Sequence, residues 1–186
     1  MKKFIFVISL FLAAASFAQQ IGDSNANGWR DKQGRDVPTA DDSKVVDGFG
    51  GIVLVTSDVD WKEKWETPSD TTPVFNRVKE VHRGKKLFVL IFFANPLQDS
   101  NGQADVSCDI DSTRPNGTIS THQTDIACFK GLLKGDPHNT RLATRVIGFV
   151  GDPGDPAGEW QFHITLRDNV RHVALPLKTS FVLLDK

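Results

Sequence analysis

Apolar and polar residues alternate most regularly near the C-terminal end of the chain. Over residues 159–167, Trp160, Phe162, Ile164 and Leu166 fall on one parity and Gln161, His163 and Thr165 on the other. That is the period of a half-buried strand. A second strand-like run over 170–177 follows Asp168-Asn169, which predicts a two-residue hairpin turn. This register sets Ile164 against Val173, Phe162 against Leu175 and Trp160 against Leu177, three apolar pairs on one face.

Upstream the same grammar recurs between turn signals. Residues 86–95 are apolar on both parities, as in a central strand covered on each side. Over 104–111, Val106, Cys108 and Ile110 oppose Asp105, Ser107, Asp109 and Asp111. Pro115-Asn116-Gly117 is a strong turn. A strand or irregular return then carries Cys128, and 142–150 is a further strand. Residues 75–82, closed by Arg83-Gly84, and the β-branched run 52–56 after Gly50-Gly51 complete the set. Between them, 57–65 predicts a short helix capped by Ser57 or Asp58, with Trp61 and Trp65 sharing one face. Pro68 disfavours helix at Thr67 and ends it. The two tryptophans read as a plug over the core, with a docking or sugar-stacking face as the alternative. The evenly spaced strands predict an all-β, antiparallel β-sandwich.

The N-terminal pattern differs. Lys2 and Lys3 precede an apolar run over 4–15, and Ser16-Phe17-Ala18 places small residues before a cut ahead of Gln19. This predicts a bacterial secretory signal over 1–18. No cysteine follows the cut, so no lipid anchor is expected, and the mature chain is expected in the periplasm or secreted. Residues 19–43 form a polar arm with Trp29 as its one large apolar group.

The chain carries 22 basic and 23 acidic residues. Without Lys2 and Lys3, 20 face 23, a formal charge of about −3. With no basic run or face, nucleic acid is a poor partner, and no second apolar stretch reaches spanning length. In an oxidising compartment Cys108 and Cys128 are expected to form a disulfide, contributing roughly 3 kcal/mol. A regular hairpin closed at residues 115–117 sets Cys108 opposite about Gln123. The bridge is therefore expected to pin a local segment and not to join two sheets.

The segment Asp155-Pro156-Ala157-Gly158-Glu159-Trp160, followed by alternation, a charged turn and a long last strand, resembles the final strands of bacterial immunoglobulin-like or fibronectin-III-like domains. The resemblance implies an immunoglobulin-like antiparallel sandwich over 73–186. Residues 44–72 are then an N-terminal extension, an extra strand plus the Trp-bearing helix, packed on it. The chain contains no tyrosine, so no tyrosine corner exists and Trp160 is expected to fill that volume.

No G-x-S-x-G, H-E-x-x-H, P-loop or G-x-G-x-x-G occurs. The reading is a non-enzyme without a cofactor. In the register above, His163 opposes Ala174 and His172 opposes Thr165, so the two histidines become diagonal neighbours able to share a metal with a third ligand. Asp109 and Asp111 near Asn116, and Asp152, Asp155 and Glu159, are two oxygen-rich clusters of calcium chemistry. Asn116-Gly117-Thr118 matches a glycosylation sequon but reads as a turn. The expected function is an exported, non-enzymatic protein-binding or accessory module of the bacterial envelope, with a protein partner in the envelope or outside the cell. The alternative is a small-ligand module for carbohydrate or metal. Trp29, Trp61 and Trp65 are the candidate binding residues, and His163 and His172 the candidate metal ligands.

Overall fold

The computed structural model describes residues 20–21, 29–30, 35–67 and 73–185. The expected signal segment, 1–18, and much of the polar arm lie outside the described residues. The elements run β1 (Gln20–Ile21), β2 (Trp29–Arg30), β3 (Asp36–Val37), β4 (Ser43–Val46), β5 (Phe49–Thr56), α1 (Trp61–Trp65), β6 (Glu80–His82), β7 (Lys86–Ala94), β8 (Gln103–Thr113), β9 (Ile119–Leu132), β10 (Arg141–Val150), β11 (Gly158–Asp168) and β12 (Val173–Leu184).

Two sheets face each other, with strand orders β10-β7-β5-β4 and β6-β12-β11-β8-β9, and β1-β2-β3 form a small third sheet. Every pairing is antiparallel except β6 with β12. In immunoglobulin terms, β5, β7 and β10 take the places of strands A, B and E. The strands β8, β11 and β12 take those of C, F and G, and β9 adds C′. The fold is an immunoglobulin-like β-sandwich. The run 52–56 lies within β5, which is an interior strand, paired with β4 on one side and β7 on the other.

All eight residues of β5 are buried, as are seven of the nine of β7, the exceptions being exposed Lys86 and half-buried Phe88. Their inner faces (Val53, Val55, Val89, Ile91) join Ile164, Leu166, Leu175 and Leu177 in the main core. Their outer faces (Ile52, Leu54, Leu90, Phe92) form a second core with Trp29, half-buried Trp61 and Trp65, and Phe75. This two-sided burial explains the continuous apolar reading of 86–95. Trp61 sits 5.9 Å from Phe88 and Trp65 5.4 Å from Phe92, ring to ring. The helix N-cap is Asp60, not Ser57 or Asp58, and it makes no side-chain capping bond. Asp58 instead accepts the Asn76 amide (2.7 Å) and pairs with Lys64 (2.9 Å). Burial pushes its carboxyl up, but those partners outweigh burial and hold it below the ordinary aspartate value.

The terminal hairpin departs from its expected register. Ile164 pairs with Leu177, Trp160 with Phe181 and Asp168 with Val173, so residues 169–172 form a four-residue loop. The displacement is an even number of positions, so the same side chains still face the core. Asp168 causes it. Fully buried, its carboxylate accepts the amides of Leu97 (2.7 Å), Val170 (3.2 Å) and Arg171 (2.9 Å) and the Arg171 Nε (3.3 Å). Arg171 in turn donates to the carbonyls of Asp47 (2.7 Å) and Asn95 (3.0 Å). One charge pair, its Asp168 buried and its Arg171 partly exposed, thus ties three loops at one end of the sandwich.

Cys108 and Cys128 are bridged, with Cα atoms 5.8 Å apart. The β8–β9 pairing is not regular. Val106 pairs with Phe129 and Ser107 with Ala127, leaving Cys128 as the extra residue of a bulge, while Cys108 lies opposite Ile126 and Gln123 opposite Ile110. The bulge turns Cys128 inward beside Cys108. The bridge joins neighbouring strands of one sheet, as the expectation of a local tie requires.

Candidate functional site

The two sheets are joined differently along their two sides. Beside β4, β5 and β6, backbone bonds cross between sheets: the Val78 amide donates to Val55 O (3.1 Å) and the Lys178 amide to Asp41 O (2.8 Å). Thr56 Oγ1 adds a bond to Asn76 O at 2.9 Å. Beside β9 and β10, the joint includes the Thr144 hydroxyl, which lies 3.2 Å from Ala127 O and 3.0 Å from Cys128 O. Beyond it the strands leave a cleft of about 280 Å³, walled by Ser120 and Thr121 of β9 and residues 147–150 of β10, with Trp160 and Phe162 at its base.

The base is rigid. Phe149 meets Trp160 edge-on at 5.0 Å and Phe181 at 4.7 Å. Trp160 Nε1 donates to Pro156 O at 3.1 Å. A tryptophan N–H reaching back to a carbonyl four residues upstream does here what a tyrosine hydroxyl does in a tyrosine corner.

The strand beside the cleft has an open edge. Between Leu142 and Val146 the β10–β7 pairing shifts, and from there residues 146–150 pair without interruption with 86–90. Their sequence, V-I-G-F-V, holds no charge and no proline, and Val150 is 42% exposed. The other described edges are blunted. Pairing of β9 with β8 is broken by three irregularities, and Asp125 there takes a positive φ of 53°. Edge strand β4 has four residues including Lys44, and β6 has three including Glu80. Bulges, charges and shortness are how proteins guard sheet edges. By that measure β10 is unguarded.

The sequence-predicted candidates are dispersed. Trp29 is 1% exposed in the second core. There its indole N–H has no hydrogen-bond partner among the described residues. Trp61 and Trp65 lie over Phe88 and Phe92 on the outer face of the same sheet. His163 lies beside Asp111 on one side and Lys178 on the other, whereas His172 sits in the loop at the sandwich end with φ 60°. The register does not bring the two together. Asp111 contacts His122 Nδ1 at 2.6 Å, and among the described residues no three metal-ligating side chains converge.

The acidic clusters are internally engaged. Asp109 pairs with Arg167, whose hydrogen bond, followed by that of the Asp125 amide, holds its carboxyl below the ordinary value. Asp155 accepts the Asp152 amide at 2.9 Å. Glu159 accepts from Ser180 and Gln161, which lower it in that order. Asn116 Oδ1 accepts the amide and hydroxyl of Thr118, the bonding of a turn.

Three residues that matter here carried no sequence signal of their own. Asp168 reads as turn punctuation, Arg171 as a surface charge and Thr144 as one more strand threonine.

No family model matches the chain, and no curated protein matches its sequence. Among solved structures, it is similar to a family 123 glycoside hydrolase from Clostridium perfringens, at 11% identity and TM-score 0.40, over 73% of this chain and 28% of that one. It is also similar to the CARDB domain of a Pyrococcus furiosus protein solved with di-metal ions (12% identity, TM-score 0.36, 57% and 81% covered). A third is a Niemann-Pick type C2 protein from the Japanese carpenter ant (9%, 0.39, 71% and 89%). The chain spans little more than a quarter of the glycoside hydrolase. The fold assignment rests on the strand order itself.

Proposed function

We propose that this chain is an exported, non-enzymatic protein-binding module of the bacterial envelope, and that the outer edge of β10 is where its partner docks. The observation that carries the reading is the uninterrupted, uncharged edge 146–150 beside the cleft. An extended segment of the partner adds to the sheet there by backbone hydrogen bonding, and its side chains enter the cleft between the sheets. Export is supported by the leader pattern of 1–18. It is also supported by the Cys108–Cys128 bridge, which suits an oxidising compartment.

The test places a photo-crosslinking residue at position 148 of the full chain and, in a second strain, at position 80 on the short edge β6. Adducts formed in cells from 148 and not from 80 are expected. No adduct from 148, or equal adducts from both, overturns the reading. N-terminal sequencing of the exported protein should begin at Gln19.

A further inference from the structure

The unguarded edge carries a pattern that points to its occupant. About Gly148, the stretch V-I-G-F-V has the same character in both directions: valine outermost, a bulky apolar residue next, glycine at the centre. Pairing of β10 with β7 is also uninterrupted over just these residues. We propose that a second copy of this chain pairs antiparallel with β10 about a two-fold axis through Gly148, joining two four-stranded sheets into one of eight strands. The proposal rests on the reading of β10 as a docking edge and names the partner.

Parity and symmetry support this register. Val146 pairs with Leu90 of the outer core, while Ile147 and Phe149 pack against the main core. A two-fold axis perpendicular to the sheet keeps the inner face of one copy level with that of the other, so residues of like parity must oppose each other. Centring on Gly148 does this. Ile147 of one copy meets Phe149 of the other on the cleft side, and Val146 meets Val150 on the outer side. Centring one residue either way trades one of these apolar pairs for Arg145 or Gly151.

Charge agrees. No charged residue falls within the five paired positions. Just beyond them, Arg145 of each copy lies opposite Gly151 and one residue from Asp152 of the other, placing opposite charges at both ends of the seam. Val150, exposed in the single chain, is covered in the pair. The contact is isologous and closes on itself, so it gives a dimer and not a fibre.

Gly148 provides the test. A Cβ built there meets nothing nearer than Phe88 Cε1 at 3.9 Å, so a single chain accommodates a side chain. In the dimer, position 148 faces its own copy across the axis. Sedimentation velocity on the mature chain should show twice the single-chain mass, falling to one on dilution. Gly148→Glu and Gly148→Lys each place two like charges face to face and should weaken association at least about tenfold, with unchanged circular dichroism. Mixing the two variants should restore the dimer, as Glu then meets Lys. A wild-type chain that stays monomeric at the highest concentrations, or single variants that stay fully dimeric, would overturn the proposal. The crosslink at position 148 separates this outcome from the broader reading. An adduct of twice the chain's own mass supports the dimer, an adduct of another mass leaves a docking edge with a different partner, and no adduct removes both.

Discussion

The side of the sandwich built from β4, β5 and β6 holds its sheets together with backbone, and the side built from β9 and β10 holds them with side chains, among them the Thr144 hydroxyl and the Phe93–Phe129 ring pair. Two strand glycines differ just as sharply, one facing inward and one outward. On the laced side, a Cβ at Gly51 would lie 2.7 Å from Leu166 Cδ1, 2.9 Å from Leu175 Cδ2 and 3.0 Å from Leu177 Cδ1. The sheets approach so closely there that only hydrogen fits. Gly148, with the parity of Val146, faces outward, and a Cβ there meets nothing nearer than Phe88. Packing between the sheets requires the first glycine and does not reach the second. The lesson is that a sandwich is not closed equally all round, and the side joined by side chains is the one we propose for a partner.

The largest test of this contrast is the disulfide. On the open side, Cys108–Cys128 ties β9 to β8 in addition to their strand pairing, so Cys108→Ala with Cys128→Ala should cost about 3 kcal/mol in urea unfolding. A cost below that of disturbing the laced side would show that the bridge is not what holds this edge.

Next is Gly51→Val, which forces a branched side chain into the leucine contact and should cost about 2 kcal/mol by overpacking. Gly148→Ala should stay within about 0.5 kcal/mol of wild type. Equal effects at the two positions would erase the distinction between a glycine packed between the sheets and one on the outer face. The smallest of the destabilising changes is Thr144→Val, which keeps the shape and removes the hydroxyl, for a cost of about 1 kcal/mol. Faster hydrogen exchange confined to β9 and β10 would accompany it, and uniform exchange across both sides would contradict it.

Much of the strand framework was legible because it depends on parity. The alternation of Trp160, Phe162, Ile164 and Leu166 gave the right inward face even though the hairpin register was off by four positions in its sum, since an even displacement leaves faces unchanged. The two-sided run 86–95 correctly indicated a covered central strand. Other features were hidden for physical reasons. Asp168 looks like an exposed turn residue, and only its neighbours in space (Leu97 and Arg171) explain why it is buried. Cys128 faces Cys108 because of a bulge, and a one-residue insertion leaves no mark in local composition. The pairing of His163 with His172 failed for the same reason as the turn: proximity across strands follows from register, and register here is set by a buried carboxylate.

By itself, then, the sequence determined what repeats along the chain: strands, their inward faces, two cysteines to be bridged, and a leader pattern at the start. Period-two alternation and burial are local properties, written residue by residue. Tertiary structure alone decided that β5 lies inside a sheet, that Asp168 and Arg171 gather three loops, and that β10 presents an uninterrupted, uncharged edge beside a cleft. These depend on which strands become neighbours and on which side the two sheets meet least closely, and such choices arise only when distant segments compete for the same partners.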